Sequence, residues 1–180
     1  SSAASDVYKR QNLNNGNKDF EPLPTGEYEM IIKKAGENAT PNGAETFQID
    51  LVVRNDIEEN KGYQNRHIFN DNWKRKNGPN AGQYPVDDFQ YILMATEVPE
   101  GTEINSMDDF AQAITGKPVR VYVKKEYSDY REEDVNEVAP WNYGKSHYPI
   151  VNHTWKDGTP ASSPADDDDE ITINEDDIPF

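Results

Sequence analysis

The stretch TFQIDLVV, residues 46–53, carries the clearest structural pattern in the chain. Its apolar side chains occupy every second position, at Phe47, Ile49, Leu51 and Val53. Successive side chains of a β-strand point to opposite faces of the sheet, so this spacing places the four apolar residues on one face and Gln48 and Asp50 on the other. The stretch is therefore predicted to be a half-buried strand.

Weaker alternation predicts four further strands, over residues 26–35, 64–70, 119–124 and 135–141. Two helical patches separate the third strand from the fourth. The first has Phe89, Ile92 and Leu93 at helical spacing, and the second begins at Ser106, with Asp109 three positions later as in a capping box. Three strands, a helix and two strands is the order of the OB-fold, although other small β-barrels and α+β sheets share it. The predicted fold is mainly β: an OB-fold-like five-stranded barrel with a helix between strands 3 and 4.

The length of 180 residues predicts one domain with tails. The domain is placed at residues 22–156. The segments 1–21 and 157–180 are predicted to be disordered, because apolar residues make up only 34% of the chain and the mean hydropathy is -0.99. Residues 6–11, DVYKRQ, are what GAT GTG TAT AAG AGA CAG encodes, which resembles a transposase end sequence used in DNA library preparation. Residues 1–11 are therefore interpreted as a read-through artefact.

The formal net charge of -16 is unevenly distributed. Residues 166–177 hold eight acids and no Lys or Arg, so the rest of the chain carries -8. This acidic body excludes a protein that is basic over its whole surface, and any contact with nucleic acid must come from local clusters. The absence of cysteine excludes disulfides and thiolate metal sites, and no apolar run is long enough to span a bilayer. We expect a cytoplasmic protein without membrane contact.

Clusters of basic and aromatic residues are candidates for binding single-stranded nucleic acid. Cations neutralise phosphates, and flat rings stack on unpaired bases at roughly 1–3 kcal/mol each. One cluster is the loop segment WKRK, residues 73–76, and another is the polar face of the fourth strand. The predicted set is Arg66, Phe69, Trp73, Lys74, Arg75, Lys76, Arg120, Tyr122, Lys124, Trp141 and Tyr143. An ordinary solvated strand face with some core aromatic rings is the structural alternative.

No pattern predicts a catalytic residue, a cofactor or a metal site. Asp50 with Glu59 and Lys61 is similar to the acid, acid-x-lysine pattern of magnesium-dependent nucleases, but the second acid falls in a polar loop. Residues 139–146 formally fit a relaxed phosphate-loop pattern, with Pro, Trp and Tyr where small residues are needed. A nuclease therefore ranks as the third function, behind two binding functions.

The segment DDIPF predicts a docking motif for another protein. Phe180 offers an apolar anchor, Pro179 limits the freedom of the chain, and a terminal carboxylate suits a basic pocket. The neighbouring acids would steer the motif to that pocket. The predicted docking residues are Asp176, Asp177, Ile178, Pro179 and Phe180. A protein-interaction adaptor that binds no DNA is the main alternative function.

The stretches LPTGEYEMIIKKA, FQIDLVVRND, NRHIFNDNW and ITGKPVRVYVKKE resemble a phage family long catalogued as a domain of unknown function, over residues 22–156. Its members look like OB-fold single-stranded DNA-binding proteins encoded beside recombination and replication genes. DDIPF resembles the tip of bacterial single-stranded DNA-binding proteins, which docks on replication and repair enzymes. The resemblance implies a non-enzymatic phage protein that coats single-stranded DNA in the host cytoplasm and recruits replication and recombination proteins. Whether the chain forms homo-oligomers stays open.

Overall fold

A computed structural model of the chain describes residues 21–161. These residues contain the strands β1 (Gly26–Ala39), β2 (Glu45–Val53), β3 (His67–Trp73), β4 (Pro118–Ser128), β5 (Glu133–Glu137) and β6 (Tyr143–Lys145). The helices α1 (Phe89–Ala95) and α2 (Met107–Ile114) both lie between β3 and β4 in sequence. The mainly β class and the helical insertion after the third strand are thereby confirmed. Neither of these two helices is long and apolar enough to cross a membrane.

The strands form one antiparallel sheet in the order β3-β2-β1-β4-β5, and β6 also pairs with β4. The central strand β1 serves two neighbours, because residues 26–31 pair with β4 and residues 30–39 pair with β2. A register shift between Ile32 and Lys34 interrupts the pairing with β2. An irregularity of this kind bends a strand and increases its local twist. The bend lets one strand contribute to both halves of the sheet.

The sheet is open, which corrects the predicted closed barrel. Within residues 21–161, no backbone ladder joins β3 to β5 or β6, because β5 pairs with the far end of β4. Side chains bridge the gap instead: Asn70 donates to the carbonyl oxygen of Val138 at 3.0 Å, and the Tyr143 hydroxyl donates to Asn70 Oδ1 at 2.6 Å. Burial raises the pKa of Tyr143, so the phenol keeps its proton and its role as a donor.

The core lies on the face predicted from residues 46–53, whose four alternating apolar side chains are fully buried. Both helices cover this face. The ring of Phe110 on α2 lies 5.0 Å from Phe47 and 4.9 Å from Phe89 on α1. The predicted cap is confirmed, because Ser106 Oγ accepts the N–H of Asp109 at 3.1 Å. The helices therefore close one side of the core that the sheet leaves open.

The predicted strands differ from the structure mainly in the second half of the sheet. β3 begins at His67 rather than at residue 64, and β5 spans Glu133–Glu137 rather than residues 135–141. The strand β6 was not predicted, since three residues are too few for alternation to be visible. The packed chain also extends beyond residue 156, because Ala161 is buried.

Residues 146–161, which we call the strap, cross the face of the sheet opposite the core. Ile31 and Val52 from the sheet form a small apolar cluster with Ala161, and Trp155 packs against it. Burial of apolar surface contributes roughly 25 cal/mol per Å². By covering Ile31 of β1 and Val52 of β2, the strap keeps these apolar side chains out of water and so stabilises the fold.

Arg54 ties the strap to the sheet. Its fully buried guanidinium donates to the carbonyl oxygens of Tyr148 at 2.7 Å and Ile150 at 3.0 Å. It also makes two hydrogen bonds to the Asp56 carboxylate, at 3.0 and 2.7 Å. Burial raises the pKa of Asp56, but these hydrogen bonds and one from the Asn152 N–H outweigh it and lower the pKa. The pair stays ionised and fully hydrogen-bonded under the strap.

Acid is expected to weaken this attachment through His153. The ring is buried, and its Nδ1 accepts the N–H of Asn55 at 3.0 Å, which requires a neutral imidazole. Burial lowers the pKa of His153, and the charge of Arg54 lowers it further against the opposing effect of Asp56. The unfolded chain takes up this proton at about pH 6.5, whereas the folded chain takes it up only at a lower pH. The free energy of unfolding should therefore fall as the pH is lowered below that value.

Urea unfolding at pH values one unit above and one unit below ~6.5 tests this expectation. We expect the wild type to lose about 1 kcal/mol more than His153→Gln, which retains an acceptor but does not titrate. An equal loss in both proteins would show that His153 does not control the pH dependence.

Candidate nucleic-acid interface

The face of the sheet opposite the core, here called the outer face, carries two groups of predicted DNA-binding residues. On β3 the residues that alternate away from the core are His67, Phe69, Asp71 and Trp73. On β4 they are Arg120, Tyr122 and Lys124, opposite the buried valines. The parity of the alternation predicted the direction of the β4 side chains correctly, whereas Trp73, predicted to lie in a loop, is the last residue of β3.

The first group is the sheet-edge patch, which consists of Phe69, Trp73, Arg75 and Lys76. Phe69 is 58% exposed and Trp73 is 43% exposed, and their positions four residues apart on one strand put them on the same face, roughly 13 Å from each other. The His67 ring stacks at 5.7 Å from Phe69, and Asp50 Oδ1 holds His67 Nδ1 at 2.7 Å. Phe69 is thus supported from beside while its own ring remains accessible.

The cations of the sheet-edge patch follow Trp73 in a loop whose ends are tied together. The N–H of Arg75 donates to the Gln83 carbonyl at 2.9 Å, and the N–H of Gly82 donates to the Arg75 carbonyl at 2.8 Å. The side chains of Arg75 and Lys76 are exposed, and neither forms a salt bridge with any residue from 21 to 161. Two exposed cations, which have no salt-bridge partner among residues 21–161, therefore follow Trp73 on an acidic body.

Three other predicted cations have different surroundings. Lys74 Nζ lies 2.6 Å from Glu45 Oε1. Arg66 is buried and donates to the carbonyl oxygen of Glu21 at 2.6 Å, so it belongs to the framework below the surface. Lys124 is exposed and lies 3.8 Å from a glutamate on its own strand. None of the three adds an unpaired cation beside Phe69.

The second group lines a cleft of about 440 Å³ on the outer face. Its side chains come from β1, β4, β6 and the 3₁₀ turn Pro140–Asn142, with His147 of the strap at one end. The lining includes Glu27, Arg120, Tyr122, Trp141, Lys145 and His147. Trp141 is 62% exposed, whereas the ring of Tyr143 lies in the core. The structure therefore brings Arg120, Tyr122 and Trp141 together, as a site separate from the sheet-edge patch.

Arg120 is surrounded by carboxylates. It lies 2.9 Å from Glu27, 2.8 Å from the fully buried Glu29 and 3.2 Å from Glu59. Burial lowers the pKa of Arg120, but the hydrogen bonds to the three carboxylates outweigh it and raise the pKa. Glu29 also accepts hydrogen bonds from the Ser146 hydroxyl at 2.5 Å and from the backbone N–H of His147 at 3.1 Å. The charge of Arg120 is thus already neutralised, which leaves it unsuited to a phosphate.

Sequence reasoning missed two exposed rings on the β4–β5 hairpin. Tyr127 is 63% exposed and Tyr130 is 96% exposed. Residues 126–137 hold six acids and one arginine, so these rings stand in a strongly acidic surface. The only signal in the sequence was the continuation of the β4 alternation past Lys124. The hairpin offers rings without the cations that a phosphate backbone requires.

The nuclease-like pattern and the phosphate-loop pattern do not form the sites that they formally resemble. Asp50 pairs with His67, whereas Glu59 accepts hydrogen bonds from Arg120 and from the Tyr148 hydroxyl. No group of three or more His, Cys, Asp or Glu side chains in the described part of the chain could hold a metal ion. The segment 139–146 forms a 3₁₀ turn followed by β6, without the helix that a phosphate loop needs.

The chain from β1 to the strap matches a known family model. The family described as "Protein of unknown function (DUF669)" matches residues 10–161. The chain belongs to this family. No curated protein matches the chain. The DUF669 match covers every strand and helix given above and the whole strap. The match and the described residues both end at residue 161, so the predicted docking motif, residues 176–180, lies outside both. Residues 1–20 of the predicted lead-in also lie outside the described residues.

Proposed function

We propose that this DUF669 protein is a phage single-stranded DNA-binding protein that uses the sheet-edge patch to coat and protect single strands. The observation that carries the proposal is that one short stretch, residues 69–76, holds two exposed rings, Phe69 and Trp73, and two exposed cations, Arg75 and Lys76. Unpaired bases stack on flat rings, and cations neutralise the phosphates between them. Duplex DNA offers no unstacked base, so the same patch should discriminate against it.

Local charge favours the sheet-edge patch over the cleft and the hairpin as the phosphate-binding surface. Phosphate contacts come from Lys and Arg that exchange counterions for phosphates. Arg75 and Lys76 have no salt-bridge partner in residues 21–161, whereas Arg120 has three carboxylates around it. Arg75 and Lys76 are therefore better suited than Arg120 to contact phosphates.

We also propose that the fold is of the OB type, and three features of the sheet support this. A bent first strand pairs with both β2 and β4, and the helices follow the third strand. Asn70 bridges the gap where the last pairing of an OB barrel would lie. OB-folds bind oligonucleotides on the face of strands 2 and 3. The sheet-edge patch lies on that face, at β3.

The docking motif completes the proposal. Residues 176–180 would recruit replication, recombination and repair proteins, with Phe180 as the anchor and the preceding acids providing long-range attraction. This part rests on the residue pattern and on the resemblance to bacterial single-stranded DNA-binding proteins.

The test is a titration of the full chain with oligo-dT, with duplex of the same length as the control. Tryptophan fluorescence reports on Trp73 together with Trp141 and Trp155, and an electrophoretic assay detects binding that leaves the fluorescence unchanged. We expect binding to the single strand alone. If Arg75 and Lys76 each contact a phosphate, they contribute about -1.4 to the slope of log affinity against log salt. Absence of binding at low salt in both assays would favour the adaptor, which presents the docking motif, residues 176–180, without binding DNA.

A further inference from the structure

The cleft on β4 has features that suit a flat, uncharged group. Two aromatic side chains line it: Trp141, which is largely exposed, and Tyr122. Glu27, Glu29 and Glu59 surround Arg120, which leaves Lys145 as the cation of the lining without a salt bridge among residues 21–161. These carboxylates would repel a phosphate, whereas they would not repel a neutral ring. A volume of about 440 Å³ falls within the range of small-ligand sites, roughly 300–1,000 Å³.

Glu27 gives the cleft a directional acceptor. Its Oε1 accepts from Arg120 Nε at 2.9 Å, and Oε2 has no hydrogen-bond partner in the described part of the chain. The side chain is 55% exposed, so the free oxygen is accessible. Carboxylates accept hydrogen bonds from the exocyclic amino group of cytosine, a group that thymine lacks.

The cleft also lies within reach of a strand bound at the sheet-edge patch. Both sites are on the outer face, and β2 and β1 separate β3 from β4. Three strand spacings of 4.7–4.9 Å give roughly 14 Å across the sheet, and the pairing register offsets Phe69 from Arg120 by about five residues along the strands, so the two residues are roughly 20 Å apart with the strap between them. An extended oligonucleotide can cover that distance.

We propose that the cleft holds one base of the bound strand, stacked on Trp141 and donating its exocyclic amino group to Glu27, so that the protein prefers cytosine to thymine. This inference rests on the proposed function and assigns the cleft the role of a base-selective subsite. The phosphates remain at Arg75 and Lys76, and the cleft adds base selectivity.

Gly144 provides a variant that fills the cleft. It lies opposite Arg120 in the β4–β6 pairing and contributes no side chain to the floor. A Cβ at this position would meet the Arg120 carbonyl oxygen at 3.7 Å, an ordinary contact, and valine suits a strand. Gly144→Val should therefore fold and occlude the cleft. Glu27→Ala removes the acceptor, and Glu133→Ala removes an equally negative, exposed side chain on β5 as its control.

The experiment compares the affinities of oligo-dC and oligo-dT of equal length for the full chain and each variant, after thermal melting confirms that the variants fold. We expect the wild type and Glu133→Ala to prefer oligo-dC by roughly threefold to tenfold, the effect of one ordinary hydrogen bond, because the Glu27 carboxylate is exposed to water. Glu27→Ala and Gly144→Val should reduce the ratio to about one. If Gly144→Val does not fold, Glu27→Ala decides the question, because its side chain is at the surface.

Two results overturn the inference: equal wild-type affinity for both oligonucleotides, or a preference that both cleft variants retain. Failure of the proposed function looks different. In that case the wild type binds neither oligonucleotide, whereas a failed cleft inference leaves tight binding without base preference.

Discussion

Replacing Phe69 and Trp73 together with alanine is expected to weaken oligo-dT binding by at least ~30-fold. Each stacked base contributes roughly 1–3 kcal/mol, so the loss of two rings removes about 2 kcal/mol or more. Both side chains lie on the outer face and are substantially exposed, so the stability of the fold should change far less than the affinity. Fluorescence anisotropy of a labelled oligonucleotide measures the effect without relying on Trp73.

The matched control is the double variant Tyr127→Ala with Tyr130→Ala. It also removes two exposed rings, but from the acidic β4–β5 hairpin. We expect its affinity for oligo-dT to stay within about twofold of the wild type, less than 0.5 kcal/mol. Equal losses in the two variants would mean that ring exposure anywhere on the surface supports binding, and the sheet-edge patch would lose its special role.

Replacing Arg54 with methionine is expected to lower the free energy of unfolding by about 3–5 kcal/mol. The guanidinium is fully buried, and its removal leaves the Asp56 carboxylate and the carbonyls of Tyr148 and Ile150 without these donors. Removing one partner of a buried pair is costly because the other charge stays unpaired. Domains of this size have total stabilities of about 5–15 kcal/mol, so the variant should be close to unfolding.

Urea denaturation measures this loss, with Arg131→Met as the control. Arg131 is an exposed arginine of the β4–β5 hairpin, and its side chain makes no hydrogen bond to any residue from 21 to 161. Its replacement should change the unfolding free energy by no more than about 0.5 kcal/mol. A loss below about 1 kcal/mol for Arg54→Met would show that water or a rearranged strap replaces the missing donor.

Alternation along the strands made much of the fold predictable from local sequence. Phe47 and Phe69 show the reason: in a strand, the parity of a position determines the face on which its side chain lies. The same rule predicted that Arg120 lies opposite the valines of β4, whereas Trp73 was predicted to lie in a loop and shares a face with Phe69 because β3 extends to residue 73. The cap at Ser106 was predictable because its partner is three residues away.

The roles of individual cations were not predictable, because their partners are distant in sequence. Arg120 meets Glu29 and Glu59, which are 91 and 61 positions away, and this surround changes it from a candidate phosphate ligand into a neutralised framework residue. Arg66 likewise reaches a backbone carbonyl 45 positions away. The open edge of the sheet depends on a three-residue strand and on Asn70, whose bridging contacts no local pattern reveals.

The strap has a consequence for how the protein is made. Its contacts with the sheet join residues far apart in sequence, such as Arg54 with Tyr148, 94 positions away, and Glu29 with His147, 118 positions away. At roughly 5–20 residues per second on a ribosome, about 100 residues take some 5–20 s to follow β2 out of the exit tunnel. During that interval Ile31, Val52 and the charge of Arg54 have no cover. We therefore expect the nascent chain to depend on chaperones or on neighbouring segments until Ala161 has emerged.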